Sequence, residues 1–453
     1  MDRWVRVEKR AVSKDNPEGQ CCSPRSKVER GGGAGELYPM LSVEEASQQL
    51  LSHFHVLEPE PVPVLESLDR VLAEDVYADA DIPPLDNTAM DGYALRAADT
   101  KGAAPESPVE LHIVADLAAG YVSEIPVTPG TAIRIMTGAP IPRGADAVVP
   151  FEDAEREGDR VLIFKGVEPG ANVREAGEDV RRGALVLRRG CRIRPQEVGM
   201  LATVGRKDVS VTRRPRVAIL ATGDEVVEID APLGPGKIRN ANSYSNAAQV
   251  LAAGGEPVLL GIAHDQVEDL TAKIRSGIAR KVDMFLTSGG VSVGDFDVVK
   301  KVLAAEGEMT FWRVRMKPGK PLAFGRIGGV PMLGLPGNPV SAMVSFELLA
   351  RAAIFKMLGQ TDSERPTIQA TLMDGIKRKD DRRHFVRVRV WEKDGAYEAA
   401  MTGEQGSGIL SSMVEANGLA IIPEDWSSVP PGSRVRVMML GGTPPRSGQE
   451  GDR

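Results

Sequence analysis

The chain has 453 residues, a length typical of about three domains, and 42% of them are hydrophobic, which is enough for well-packed cores. A net charge of -7 and an aromatic content of 4% argue against a nucleic-acid-binding protein. No apolar run is long enough to cross a bilayer and no signal-peptide pattern begins the chain, so we expect a cytoplasmic protein without a membrane partner. The 3 cysteines and 5 scattered histidines lack the spacing of a disulfide framework or a zinc site, which leaves oxygen ligands for any metal.

The first 39 residues differ in composition from the rest of the chain. They carry lysines and arginines without a hydrophobic period and end in the flexible sequence GGGAGELYP. A helix is predicted just after Met40, because Ser42 and Glu45 have the spacing of a capping box and apolar residues recur after them with a helical period. Residues 1–39 are therefore expected to be disordered. The sequence leaves open whether they are a genuine extension or an upstream over-translation that ends at Met40.

Residues 60 to 214 read as a β-rich region with a short helix at 194–205. Short alternating strands and Pro/Gly turns recur in GTAIRIMTGAPIP, ADAVVPFED and GALVLRRGCRI. The stretch PPLDNTAMDGYAL stands out within it, since Asp86 and Asp91 lie among small polar residues. A turn explains part of this pattern, and a polar cluster directed at a ligand explains it equally well.

The middle third of the chain predicts an α/β domain. Apolar runs in RVAILATGDE, PVLLGIAHD, VDMFLTSGG and PMLGLPGNP alternate with predicted helices at about 242–253, 266–280, 295–306 and 339–358. Such continuous apolar strands imply a parallel, doubly wound sheet covered on both faces, which we place at 215–361. The sequence from about 365 to 441 then predicts a small all-β domain, followed by a disordered tail at 442–453.

One glycine-rich loop, TSGGVSVGD, follows a predicted strand and precedes a predicted helix. In a doubly wound sheet, ligands bind beyond the carboxyl ends of the strands. Gly289 and Gly290 would let the backbone approach a ligand, and Ser288 and Ser292 add hydroxyl donors. This pattern favours a phosphate site at the helix start over a turn without a ligand.

Two further turns follow the same logic. In LPGNPVSAM, Asn338 is a candidate helix cap and Pro339 a candidate first helical residue, which leaves Pro336 unexplained by capping alone. In MKPGKP, Lys317 and Lys320 flank a Pro-Gly turn and suit a phosphate or oxyanion. Two solvated lysines explain that spacing equally well.

Carboxylates follow three predicted strands at this same edge: Asp224 and Glu225, then Asp265, then Asp295 and Asp297. One such acid would be explained as a cap of the next helix. Three strand ends together favour a Mg²⁺ site beside the phosphate loop, because Mg²⁺ takes a few carboxylates together with water and substrate phosphates.

These motifs resemble those of molybdopterin molybdenumtransferase, the MoeA family, which includes the corresponding domain of gephyrin. The matching blocks are DNTAMDGYA, IRIMTGAPIP, REAGEDV, TGDE, SGGVSVGDFD, MKPGKP, GLPGNPVS and GSGILSSMVEANGL, in the family's order from about Met40 to residue 440. The resemblance implies a discontinuous domain I at 40–82 and 180–214, a β-rich domain II at 83–179, a MogA-like doubly wound molybdopterin-binding domain III at 215–361 and a C-terminal β-barrel domain IV at 362–441.

The resemblance also implies a reaction. Molybdenum from molybdate would be inserted into adenylylated molybdopterin with release of AMP, assisted by Mg²⁺. The family resemblance implies a homodimer whose active site is shared between subunits, with the DNTAMDGYA loop presented to the partner. Transient contacts with the molybdopterin adenylyltransferase and with molybdoenzyme maturation factors are implied as well.

Site residues are carried over by position in the matching motifs. The catalytic set implied is Asp91, Thr137, Asp179, Glu225, Asp265 and Asp297, of which the last three are also the implied metal ligands. The substrate-binding set implied is Ser288, Gly289, Gly290, Ser292, Lys317, Lys320, Pro336, Pro339 and Ser407. Two departures, Arg313 for a lysine and Asn240 for an aspartate, leave the preference for molybdate over tungstate open.

Two rival functions are weighed against this one. A nucleotidyl transferase is possible because a similar α/β domain adenylylates molybdopterin in the preceding step, but the additional β domains weigh against it. A scaffold is possible because the related domain of gephyrin clusters receptors, but a scaffold has no need of the intact acidic set.

Overall fold

A computed structural model describes residues 40–289, 302, 307–360, 364–378, 380–441 and 444–445. The predicted extension 1–39 lies outside these residues, as does the predicted helix 295–306 apart from Val302. Of the predicted tail 442–453, the described part is 444–445, where the Pro445 carbonyl accepts a hydrogen bond of 2.9 Å from the Glu392 amide. Within the described residues, no helix has the length and apolar composition needed to cross a membrane.

The predicted α/β domain is built on a seven-stranded sheet. Its strands lie in the order Met40–Leu41, Gly307–Val314, Pro321–Ile327, Val330–Leu335, Met284–Ser288, Arg216–Thr222 and Glu256–Ala263. The last four strands are mutually parallel, and Pro321–Ile327 runs antiparallel to both of its neighbours. The described helices of this domain are Ala241–Ala252, Val267–Ala279, Pro339–Ser345 and Arg351–Leu358, with a π-helical turn at Phe346–Ala350.

The apolar strands are continuous because both faces of the sheet are covered, as predicted. On the strand Arg216–Thr222, Val217 and Ile219 enter one hydrophobic core, whereas Ala218 and Leu220 enter the core on the opposite face. All four residues are fully buried. Alternation of side chains along this strand therefore supplies both cores, which explains its continuous run of apolar residues.

The first helix, Val43–Leu51, packs against the α/β domain. Its predicted capping box is confirmed, since the Glu45 amide donates to Ser42 Oγ at 3.1 Å and the Ser42 amide donates to Glu45 Oε2 at 2.8 Å. Leu50 is fully buried in the core that covers one face of the seven-stranded sheet. The strand Met40–Leu41 pairs in parallel with Arg313–Val314 of that sheet. The helical period identified the apolar face of this helix but could not identify the domain that covers it.

A six-stranded sheet dominates the β-rich region. Its strands lie in the order Ala147–Pro150, Gly92–Leu95, Thr131–Ile135, Val109–Leu117, Arg160–Ile163 and Ala154–Glu157. Short 3-10 helices lie at Val64–Ser67, Ala97–Thr100 and Phe151–Asp153, and the predicted short helix lies at Pro195–Thr203.

Strand pairs join the segments that precede and follow this sheet. They are Pro59–Pro63 with Asp208–Thr212, Val76–Tyr77 with Leu185–Leu187, and Asn87–Thr88 with Val173–Arg174. The first two of these pairs join residues more than one hundred positions apart, which is what a discontinuous domain I requires. The domain boundaries themselves stay a prediction.

The C-terminal strands close into a barrel. The order is Arg383–Lys393, Ala396–Met401, Thr367–Leu372, Ser433–Met439 and Gly418–Ile422, and the last strand pairs with the first. Smaller elements are the helix Ser411–Glu415, the pair Ile376–Lys377 with Ser428–Val429, and the pair Val226–Val227 with Ile238–Arg239 in the α/β domain. Met316–Lys317 pairs in parallel with Arg383–His384 and so connects the α/β domain to the barrel.

Candidate active site

Three loops converge at the carboxyl ends of the parallel strands, and they follow Thr222, Ser288 and Leu335. We name them the strand-end loops. The Gly289 amide donates to the Leu335 carbonyl at 3.2 Å, and Thr222 Oγ1 donates to the Ser288 carbonyl at 3.4 Å. Gly289 has a φ of +87°, and a Cβ at this position would lie 2.8 Å from the Thr222 carbonyl oxygen. Only glycine fits here without strain, because its φ is positive and the Thr222 backbone of the neighbouring strand occupies the space that a Cβ would need.

The third loop carries Pro336, which is buried, and Gly337, which is exposed. Asn242, at the start of the helix Ala241–Ala252, donates from Nδ2 to the Gly337 carbonyl at 2.7 Å. The sequence reasoning missed Asn242, although the repeated asparagines in NANS were an available signal. The other asparagine, Asn240, is buried and accepts from the Ser243 amide at 3.2 Å, so it caps this helix.

Carboxylates line the same edge. Asp224, Glu225 and Asp265 are all exposed, and the strands that precede them, Arg216–Thr222 and Glu256–Ala263, are neighbours in the sheet. Asp224 Oδ1 lies 3.3 Å from the Asp265 amide and 3.2 Å from His264 Nδ1. The amide, followed by the imidazole, holds the pKa of Asp224 below its usual value.

The carboxylates suit Mg²⁺ by chemistry. Glu225 and Asp265 offer hard, exposed oxygen ligands on adjacent strand ends, which is the partial ligand set that Mg²⁺ completes with water and phosphate. Across the described residues, no three His, Cys, Asp or Glu side chains form a metal-binding group. The third predicted ligand, Asp297, lies outside those residues, as do the predicted donors Gly290 and Ser292.

A second polar cluster lies in the β-rich region and answers the question raised by PPLDNTAMDGYAL. Asp91 Oδ1 accepts from both the amide and the hydroxyl of Thr137, each at 2.7 Å. These donors, the amide first, hold the pKa of Asp91 below its usual value. The loop is therefore an ordered platform that presents an exposed carboxylate, rather than only a turn.

Hydrogen bonds join the Asp91 loop to its two neighbours. Buried Thr88 exchanges backbone hydrogen bonds with the Thr137 loop, accepting from Gly138 at 2.9 Å and donating to Ala139 at 3.1 Å. Asp86 Oδ1 accepts from the Ala176 amide at 2.7 Å, in the loop that continues to exposed Asp179. We name the set Asp91, Thr137 and Asp179 the arm cluster. Among the described residues, no hydrogen bond or ion pair joins the arm cluster to the strand-end loops.

Basic residues gather where the barrel meets the α/β domain. A cavity of about 390 Å³ is lined in part by Lys317, Lys377, His384 and Arg387. Lys317 Nζ lies 3.8 Å from Asp380 Oδ2, while Lys320 is exposed. Asp380 also accepts from Arg382 at 2.8 Å and bonds His384 at 2.9 Å, and Arg382 foremost lowers the pKa of Asp380.

Ser407 of the barrel reaches the strand-end loops. Its Oγ accepts from Asn338 Nδ2 at 3.0 Å, and its carbonyl accepts from the Val340 amide at 3.1 Å. Asn338 is the N-cap residue of the following helix, as predicted, but its side chain makes no capping hydrogen bond and bonds Ser407 instead. Pro339 is the first helical residue, as predicted. A local pattern could not foresee that another domain would occupy the start of this helix.

Comparison with known proteins matches three regions that together span most of the described residues. Residues 41–205 match the MoeA N-terminal region (domain I and II), residues 218–356 a probable molybdopterin binding domain, and residues 369–440 the MoeA C-terminal region (domain IV). Molybdopterin molybdenumtransferase 2 of Mycobacterium tuberculosis is 38% identical over 407 residues, which are 88% of this chain and 100% of the relative. The chain belongs to the molybdopterin molybdenumtransferase (MoeA) family.

Other members of the MoeA family agree with this assignment. Molybdopterin molybdenumtransferase of Bacillus subtilis is 35% identical over 405 residues, covering 88% of this chain and 94% of the relative. The crystal structure of the molybdopterin biosynthesis moeA protein from Pyrococcus horikoshii OT3 matches with a TM-score of 0.76 at 34% identity, over 89% of this chain and 100% of that one. The predicted architecture, a molybdopterin-binding α/β domain with β-rich N-terminal domains and a C-terminal barrel, is confirmed. The family is one of enzymes of molybdenum cofactor biosynthesis.

Proposed function

We propose that this chain transfers molybdenum from molybdate to adenylylated molybdopterin and releases AMP. The observation that carries the proposal is the convergence of the Gly289 and Pro336 loops with the carboxylates Glu225 and Asp265 at one edge of the sheet. This edge lies within the residues that match a probable molybdopterin binding domain.

The strand-end loops bind the pterin and the phosphates. Ser288 and Gly289 lie at the carboxyl end of a parallel strand, where ligands bind in doubly wound sheets. Buried Pro336 and helical Pro339 fix the opposite wall of the pocket. Gly290 and Ser292, which follow Gly289 in the sequence, remain predicted donors of the same motif.

Glu225, Asp265 and Asp297 would hold Mg²⁺, which when bound supplies positive charge to the pyrophosphate of the substrate. These carboxylates would hold the ion at the strand ends, and the exposed edge leaves room for substrate oxygens.

Molybdate binds beside Lys317 and Lys320. An oxyanion with two negative charges needs cationic donors, and the cavity that contains Lys317 is also lined by Lys377 and Arg387. Ser407 lies between the barrel and the strand-end loops, where its hydroxyl contacts Asn338. Holding molybdate near the bound pterin converts the metal transfer into a step within one complex.

The arm cluster acts across a homodimer. Asp91, fixed by Thr137, is an exposed carboxylate. Among the described residues, no hydrogen bond or ion pair joins it to the strand-end loops of its own chain. A second copy supplies that site if the arm cluster of one subunit faces the strand-end loops of the other. In the cytoplasm, the molybdopterin adenylyltransferase supplies the substrate. The product then passes to factors that mature molybdoenzymes.

The test is AMP release from adenylylated molybdopterin in the presence of Mg²⁺, with and without molybdate. We expect molybdate-dependent release that Asp91→Asn and Glu225→Gln abolish, whereas Asp230→Asn, an exposed carboxylate farther along the Glu225 loop, leaves it unchanged. Binding of the substrate without AMP release, also when tungstate replaces molybdate, would favour a scaffold. ATP consumption with release of pyrophosphate would favour a nucleotidyl transferase.

A further inference from the structure

One arginine is buried in the C-terminal barrel. The side chain of Arg387, on the strand Arg383–Lys393, is 1% exposed. Within the described ranges, no carboxylate forms an ion pair with it, and burial lowers the pKa of its guanidinium. A buried charge without a counter-ion is costly, so its hydrogen-bond partners must account for its presence.

The side-chain hydrogen-bond partners of Arg387 lie on one loop and on the short helix Ser411–Glu415 that follows it. Nη2 donates to the carbonyls of Glu404 and Gly406, at 3.0 and 3.1 Å, and Nε donates to Ser412 Oγ at 2.6 Å. The Arg387 amide also donates to Gln405 Oε1 at 2.9 Å. One guanidinium therefore holds the chain on both sides of Ser407.

Ser407 carries this arrangement into the α/β domain. Its Oγ accepts from Asn338 and its carbonyl accepts from Val340, at the start of the helix that follows the Pro336 loop. Through these contacts, the position of the barrel loop determines which groups border the proposed pterin and phosphate site. Among the described residues, the hydrogen bonds from the 404–412 segment to Asn338 and Val340 are made by Ser407.

We propose that Arg387 is a positioning residue for substrate binding: it holds the 404–412 segment so that Ser407 docks against the strand-end loops. This inference rests on the proposed function. Its alternative is that Arg387 binds the oxyanion directly, since it also lines the cavity that contains Lys317. The hydrogen bonds that Nε and Nη2 donate favour positioning, because they commit these guanidinium nitrogens to one segment of this chain rather than to an anion.

The experiment measures the KM for adenylylated molybdopterin, the KM for molybdate and kcat, using molybdate-dependent AMP release by the full chain. The variants are Arg387→Met, Arg387→Lys, Ser407→Ala and the double variant Arg387→Met/Ser407→Ala. Arg389→Met, at an exposed position two residues along the same strand, is the matched control. The wild-type protein tests the proposed function itself, and the variants are compared only where it releases AMP.

We expect Arg387→Met to raise the KM for adenylylated molybdopterin by about tenfold, with a smaller change in kcat, because a displaced loop misplaces Ser407. Arg387→Lys should restore part of this loss, and Arg389→Met should behave as wild type. Adding Ser407→Ala to Arg387→Met should change little, because the displaced loop has already lost the contact between Ser407 Oγ and Asn338.

Three results would overturn the inference. The first is a KM for adenylylated molybdopterin that is the same in Arg387→Met and Arg389→Met. The second is a double variant whose loss is the product of the single losses, which means that Arg387 does not act through Ser407. The third is a change confined to the KM for molybdate that is non-additive with Lys317→Met, which assigns Arg387 to the anion. If Arg387→Met does not fold, Arg387→Lys in the same double-variant comparison decides between these outcomes.

Discussion

Gly289 is a residue of the proposed site at which neighbouring backbone leaves no room for a side chain. Gly289→Ala combines a positive φ with a Cβ 2.8 Å from the Thr222 carbonyl oxygen, so the strand end must shift. We expect the KM for adenylylated molybdopterin to rise by about tenfold or more. The matched control is Gly120→Ala, where φ is +88° and nothing lies within 4 Å of the new Cβ. Equal KM values for the two variants would contradict a role for close backbone approach.

Thr137 sets the protonation of Asp91. Thr137→Val removes one of two donors to Asp91 Oδ1, and since these donors stabilise the charged form, the pKa of Asp91 should rise. The carboxylate exists above its pKa and is lost as the pH falls through it. The acid limb of kcat/KM for AMP release should therefore move to higher pH in Thr137→Val. Thr137→Ser, which keeps the hydroxyl, should retain the wild-type profile, and an unshifted profile in both variants would contradict this coupling.

At the scale of elements, the packing of the helix Val43–Leu51 against the α/β domain predicts that this helix stabilises that domain. Leu50 is fully buried in the core of the α/β domain, and Leu50→Ala should lower the free energy of unfolding by about 2–5 kcal/mol. Gln49→Ala, one residue away and exposed, should change it by less than about 0.5 kcal/mol. Denaturant unfolding with an unchanged m-value is the measurement. A Leu50→Ala effect no larger than that of Gln49→Ala would show that this packing contributes little.

Local patterns predicted most of the elements and few of the contacts between them. The capping box of Ser42 and Glu45, and the helix Val267–Ala279, depend on residues close in sequence, and both were predictable. The Asn338 side chain departed from its predicted cap because a loop of the barrel, some seventy residues later, reaches it. For the same reason, nothing local identified Arg387, whose partners lie on a loop more than fifteen residues away.

At the scale of the whole molecule, the proposed site is divided between two regions. The arm cluster holds Asp91 on the β-rich sheet, while Glu225 and Asp265 follow strands of the α/β sheet. The sequence could supply both sets of residues through their motifs. The motifs could not predict how the two sets of residues are placed relative to each other. That placement depends on the orientation of the domains and on a second copy of the chain.

Complementation between inactive variants tests whether two copies share the site. If Asp91 of one subunit serves Glu225 of the other, a heterodimer of Asp91→Asn and Glu225→Gln carries one site with both native residues and one with neither. Random pairing in a two-fold dimer makes half of the dimers heterodimers, so about a quarter of wild-type AMP release should return on co-expression. Mixing each variant with itself should restore nothing. If differently tagged copies co-purify as heterodimers and AMP release still stays at the level of the single variants, the site lies within one chain and the shared arrangement is wrong.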